Sequence, residues 1–187
     1  MHSKGALTGL VLMGGRSLRM GRDKAEIPWP EAPLWERQVR VLSALCDSVW
    51  RAVAYGHREE PGVLVDKTPY PGPVPPILAG LQQMPGNWLL VLAVDLVQVD
   101  VELLEKLVQT RVEGGVSMAA DEQHWQPLCS IWHRSVLAKI PTDRDWAGCS
   151  MRSLLQHVPT TEYPVPKYAA HQLKNLNTPQ DLGEVTL

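Results

Sequence analysis

The residues best suited to chemistry sit together near the start of the chain. Gly14-Gly15-Arg16-Ser17-Leu18-Arg19-Met20-Gly21-Arg22-Asp23-Lys24 places three glycines, a hydroxyl and four cations within eleven positions. Glycine lets backbone N–H groups approach oxygen atoms closely, Ser17 can donate, and Arg and Lys neutralise charge. These are the ingredients of a phosphate site. Two familiar phosphate motifs fail the test of spacing. Five residues separate Gly15 from Gly21 and Arg22 follows, where a P-loop needs four and then Lys. Adjacent Gly14 and Gly15 break the G-x-G-x-x-G dinucleotide pattern. The competing reading is a Gly-Gly turn followed by a solvated basic loop. Charge favours the anion: residues 1–24 carry a net +4 in a chain whose total is −2, which leaves −6 for the rest.

This loop follows an apolar stretch, 7–13, that reads as a buried strand stopped by the two glycines. Further strands are expected at 49–54, 63–65, 88–94, 116–120 and 128–132, with Val165 closing a last one. The stretch 88–94 is apolar throughout, as a central parallel strand should be, and stops at Asp95. Helical spacing predicts helices over 34–45 (Glu36, Arg37 and Arg40 outward), 77–84, 101–111 and 150–158. Cys46 falls beside apolar residues in the first helical stretch and reads as core. Asp100 is placed to cap Val101, and Thr178-Pro179 opens a terminal helix. Strands alternating with helices predict a three-layer α/β/α sandwich around a mostly parallel, Rossmann-like sheet. In such sheets ligands sit at the carboxyl ends of the strands, which draws attention to the residues after each strand, Asp66 and Asp95 among them.

Composition narrows the class of function. The 187 residues are enough for one sizeable domain, taken as 1–187, and no linker or repeat divides them. Eighteen Lys+Arg against 20 Asp+Glu leaves no broad basic face for nucleic acid. The longest apolar run, 88–94, is too short to span a bilayer, and no secretory leader pattern opens the sequence. Three cysteines without a C-x-x-C pair suit a reduced, cytoplasmic protein. Cys129 and His133 lie four apart but lack the tight pairing of a zinc site.

Leu12 to Lys24 reads L-x-G-G-x-S-x-R-M-G-x-D-K, which resembles the signature of the molybdenum cofactor guanylyltransferase family. The resemblance continues in order along the chain. It takes in Pro33-Leu34-Trp35, Asp66 with Tyr70-Pro71-Gly72-Pro73 and Leu78-Ala79-Gly80, Asp95, Gln126-Pro127-Leu128, and Asn175-Leu176-Asn177-Thr178-Pro179. Departures are Met13 for the usual Ala, Val74-Pro75-Pro76-Ile77 as apparent extra loop residues, Tyr55 where some relatives carry Asn, and no Pro close after Asp95. None removes a charged catalytic group.

What the resemblance implies is a nucleotidyltransferase-type fold and transfer of GMP from GTP to the terminal phosphate of molybdopterin, with release of pyrophosphate. Mg²⁺ is the implied cofactor and Asp95 its ligand; the alternative for Asp95, a helix cap, is better filled by Asp100. Arg19 and Lys24 would stabilise phosphate charge and join Asp95 as catalytic residues. Leu12, Met13, Gly14, Gly15, Ser17, Lys24, Asp66 and Asp95 would bind the nucleotide, Asp66 accepting from guanine N1 and N2. Asn175 and Asn177 would bind the pterin. Asp66 and the two asparagines are equally at home as turn residues. The rival functions are molybdopterin cytidylyltransferase, whose signature carries L-A-A-G where Leu12-Met13-Gly14-Gly15 stand here, other small-molecule nucleotidyltransferases, and a protein that holds GTP or the cofactor without turnover. Other cofactor-assembly proteins are conceivable partners, and a monomer fits.

Overall fold

The computed structural model describes residues 6–13, 25, 27–28, 32–69, 71–122 and 124–176. The chain runs β1 Leu7–Leu12, α1 Leu34–Ser43, β2 Ser48–Val53, β3 Val63–Val65, α2 Val74–Gln83, β4 Trp88–Ala93, α3 Val101–Gln109, β5 Val116–Ala120, β6 Trp125–His133, α4 Met151–Leu155 and β7 Thr160–Pro164. Two 3-10 stretches, Arg134–Lys139 and Lys167–Leu173, follow β6 and β7. The strands form one sheet in the order β3-β2-β1-β4-β6-β5-β7. Among the seven described strands of this sheet, β6 alone runs against its neighbours, β4 and β5, and the other strand pairings are parallel. The sequence expectation of an α/β fold with a mostly parallel, Rossmann-like sheet is met.

Both faces of the central strands are covered, and their residues divide between two cores by the two-residue period of a strand. Leu7 and Val11 of β1 and Leu90 and Leu92 of β4 pack with α1 and α3. Leu10 and Leu12, with Leu89 and Val91, pack with α2 and α4. Complete burial of such side chains stabilises the fold by about 1.5–3 kcal/mol each, which is why strands of this kind read as continuous apolar runs. Two glycines let helices approach β1 closely. A Cβ on Gly9 would lie 3.1 Å from Leu42 Cβ on α1, and one on Gly80 of α2 would lie 3.2 Å from Leu10.

Several element boundaries differ from expectation. The helix expected at 77–84 begins at Val74, so 74–77 is its first turn and not extra loop. Pro75 and Pro76 are tolerated there because the first N–H groups of a helix have no intrahelical partner to lose. The first helix stops at Ser43, which leaves Cys46 just beyond it; its N–H donates to Leu42 O (2.9 Å) and its side chain packs against the core. The strand expected at 128–132 extends to Trp125–His133, and the helix expected at 150–158 shortens to Met151–Leu155 behind the Ser150 cap. The last strand, β7, precedes Val165, whose N–H still donates to Ala120 O (2.8 Å). The sequence places a last strand ending at Val165 but not its start, because the residues before Val165 form an exposed edge strand, largely polar, with no apolar period. The terminal helix expected from Thr178 lies outside the described residues. Among the described residues, no helix is long and apolar enough to cross a membrane.

Candidate functional site

Strand order reverses at β1: the chain moves outward to β2 and β3, then returns to place β4 on the other side. In open α/β sheets the crevice beyond the carboxyl ends at such a reversal is where ligands bind. The loops around it are tied to one another by backbone hydrogen bonds. Met13 N donates to Ala52 O (3.0 Å), Asp66 N to Val53 O (3.0 Å) and Val94 N to Leu12 O (3.0 Å). Leu12 and Met13, Asp66 and Asp95 therefore open onto the same edge, at the mouths of β1, β3 and β4. Adjacent strands are about 4.8 Å apart, so Asp66 and Asp95 stand on the order of 14 Å from each other.

Asp95 is partly buried, and the turn around it is held by residues distant in sequence. The carboxamide of Gln38, fully buried on α1, donates from Nε2 to Ala93 O (3.3 Å) and Leu96 O (2.9 Å), the carbonyls on either side of Asp95. Its Oε1 accepts from Arg37 Nη1 (3.0 Å), and Arg37 Nη2 reaches Val99 O (3.1 Å). Arg37 is thus turned against this loop and not outward as expected. Burial lowers its guanidinium from the ordinary value, and nearby Asp100 opposes the shift. Sequence reasoning also passed over Gln38. The available signal was its place between Leu34 and Leu42 at i+4 spacing: a polar residue on an apolar stripe needs a partner.

The closing segment reaches the same edge. Leu176 N donates to Asp95 O (2.8 Å), laying residues 174–176 across the mouth of β4. Asn175, exposed, accepts on Oδ1 from Gln126 Nε2 (2.9 Å), and the same Nε2 donates to Leu173 O (3.1 Å). The structure thus gathers Leu12, Met13, Asp95 and Asn175 around the β1–β4 mouth, with Asp66 two strands to one side. Gly14, Gly15, Ser17, Arg19, Lys24 and Asn177 lie outside the described residues.

Asp66 borders a cleft of about 790 Å³ between β3, α2 and the loop carrying Trp146. Burial pushes its carboxyl up to about 6. A carboxylate kept partly desolvated beside a cleft is the environment in which functional acids are found. Trp146 was not anticipated. It is pinned by its indole N–H donating to Pro141 O (3.0 Å) and by an edge contact with His157. Cys129 and His133 are structural: Cys129 is wholly buried in the core, and His133 caps the 3-10 stretch that follows it.

Among the described residues, no three His, Cys, Asp or Glu side chains come together as a metal cage. Among the described residues, a cation at Asp95 would find one carboxylate and would draw further ligands from water and substrate phosphates. That donor set suits Mg²⁺, which keeps several waters and takes few protein ligands.

A seven-stranded sheet of this order, with its open loops at the β1–β4 reversal, defines a nucleotidyltransferase-type α/β protein. Residues 9–162 match the family model described as "MobA-like NTP transferase domain". Among similar proteins are the probable molybdenum cofactor guanylyltransferase of Nostoc sp., 30% identical over 96% of this chain and 90% of that protein, and the molybdenum cofactor guanylyltransferase of Pseudomonas putida, 30% identical over 94% and 95%. The crystal structure of molybdopterin-guanine dinucleotide biosynthesis protein A from Archaeoglobus fulgidus superposes with a TM-score of 0.72, at 21% identity over 95% of each chain. The chain belongs to the MobA-like NTP transferase family.

Proposed function

We propose that this protein transfers GMP from GTP to the terminal phosphate of molybdopterin. An oxygen of that phosphate attacks the α-phosphorus, the bond to the β-phosphate bridge breaks, and pyrophosphate leaves. The reading is supported above all by Asp95, a carboxylate at the mouth of the central strand of a MobA-like domain, with its turn braced by Gln38.

Each residue then has a task. Asp95 holds Mg²⁺, which, when bound, neutralises charge on the transferring phosphate. Arg19 and Lys24 counter the charge of the leaving pyrophosphate. The backbone at Leu12, Met13, Gly14 and Gly15, with Ser17, seats the nucleotide. Asp66 accepts from N1–H and N2–H₂ of guanine, a donor pair that cytosine lacks. Asn175 and Asn177 engage the pterin. Read across the sheet, base, phosphates and acceptor then lie in the order β3, β1, β4 and beyond. No side chain needs to form a covalent intermediate; positioning and charge do the work. All of these residues come from one chain, so a monomer suffices. The three free cysteines suit a reducing compartment, the cytoplasm.

Magnesium-dependent pyrophosphate release with GTP, CTP and ATP, with and without molybdopterin, tests the reading. The expected result is acceptor-dependent turnover with kcat/KM for GTP at least about a hundredfold above that for CTP, the scale of a buried polar group left unpaired. Comparable values would keep the transferase and remove the guanine assignment. A CTP preference would make it a cytidylyltransferase, and GTP binding without release would make it a binding protein.

A further inference from the structure

We propose that Gln126 is a positioning residue that sets which way the carboxamide of Asn175 faces, so that Asn175 meets the second substrate as a hydrogen-bond donor. Leu173 O, a backbone carbonyl, can only accept. The atom of Gln126 lying 3.1 Å from it must therefore be Nε2. The same Nε2 lies 2.9 Å from Asn175, and a donor there requires Oδ1 opposite it. One backbone carbonyl thus orients two amides in succession. Both hydrogens of Gln126 Nε2 are used, and the Nδ2 of Asn175, with its two N–H groups, is turned away from Gln126.

The placement gives this orientation a use. Asn175 is exposed, and its neighbour Leu176 is bonded to Asp95 O. What Asn175 offers at this edge is therefore an N–H, suited to a phosphate oxygen or a ring carbonyl. Gln126 is aimed by an irregularity in β6. Pairing with β5 jumps from Met118↔Ser130 to Ala119↔Gln126, so residues 127–129 bulge from that ladder. Ser130 Oγ closes the bulge by donating to Pro127 O (2.6 Å). Bulges of this kind re-aim side chains near active sites.

This inference rests on the reading of Asn175 as a contact of the acceptor, and the experiment separates the two. Gln126→Glu keeps the shape but offers only acceptors, so Asn175 must turn Nδ2 toward it and present Oδ1 outward. Asn175→Asp keeps the bond from Gln126 and replaces the outward donor with an acceptor. Each should raise KM for molybdopterin about tenfold, the scale of one hydrogen bond replaced by a mismatch, with KM for GTP unchanged. The double variant Gln126→Met with Asn175→Asp, which sets no two carboxylates against each other, should be no worse than either single one, because both act on one contact. Gln126→Met, which removes the donor without adding charge, should show the same KM split if Gln126→Glu does not fold. Competition by a simple pterin against competition by inorganic phosphate, each compared in wild type and Asn175→Asp, tells a ring carbonyl from a phosphate oxygen. An unchanged molybdopterin KM in both Gln126 variants, or losses that multiply in the double variant, would overturn the positioning role. If Asn175→Asp alone also binds molybdopterin normally while transfer proceeds, the acceptor contact itself is wrong, and the inference falls with it. No transfer by the wild type would overturn the function proposed above, and this inference too.

Discussion

Asp66 and Asp95 both stand where a parallel strand ends, yet their surroundings prepare them for different work. Asp66 is held beside a cleft with its carboxyl raised to about 6 by burial. Recognition of guanine donors needs the ionised form, so kcat/KM for GTP should fall about tenfold per unit as pH drops below about 6. Asp66→Asn should have a lower kcat/KM but no such titration, and a pH profile of both proteins checks this. Stability should move the other way. The folded value lies above the ordinary 3.8, so the contribution of Asp66 to folding is fully present below pH 3.8 and lost as pH rises through 6. Asp66→Asn should therefore gain in melting temperature over wild type at pH 7–8, and the gain should fade toward pH 4. For Asp95, on the proposed function, the charge itself would be the asset. Asp95→Asn should cut turnover by at least about two orders of magnitude. Gln38 and Leu176 hold the backbone on either side regardless of that charge.

Among the elements, α3 and the 3-10 stretch 167–173 share a joint that reaches the site. Asp100 caps α3 by accepting from Leu103 N (2.8 Å), as the sequence predicts. The rest of the joint is tertiary: its Oδ2 accepts from Gln172 Nε2 (2.8 Å), and its own N–H donates to Gln172 Oε1 (3.1 Å). Losing the cap costs about 1 kcal/mol, and leaving Gln172 without its partner adds a similar amount. Asp100→Ala should therefore destabilise the protein by about 2 kcal/mol in denaturant unfolding. It should also raise KM for molybdopterin more than KM for GTP, because Gln172 anchors the segment that carries Asn175. The prolines of α2 teach a complementary lesson. A run of Pro reads as loop, yet in the first turn of a helix it costs nothing in hydrogen bonds.

At the scale of the molecule, the site is a set of loops strung along one edge of a rigid sheet. On the function proposed above, a nucleotide would engage the mouths of β3, β1 and β4 together and so stabilise the folded state as a whole. With Mg²⁺ and GTP at a hundred times the dissociation constant, the gain is about 2.7 kcal/mol, or about 5–10 °C in melting temperature for a chain of this size. CTP at the same concentration should shift it less, and Asp66→Asn should narrow the difference between the nucleotides. A thermal shift assay reads both. Equal shifts in the wild type would remove Asp66 from base recognition.

The local sequence determined the elements, because burial on two faces leaves a continuous apolar run and burial on one helical face leaves a stripe. It also marked Asp66 and Asp95, which stand where such a pattern stops, and Asp100, which stands where one begins. Strand order was decided only in three dimensions, by which strands and helices could bury one another together. That order sets Asp66 two strands away from Leu12 and places Asp95 next to it. The same holds for Gln38, whose partners lie 55 and 58 residues onward, and for the Gln126–Asn175 pair, 49 residues apart. A buried or bulged amide has no local signature of its role, because its hydrogen bonds are made to whatever backbone the fold brings alongside.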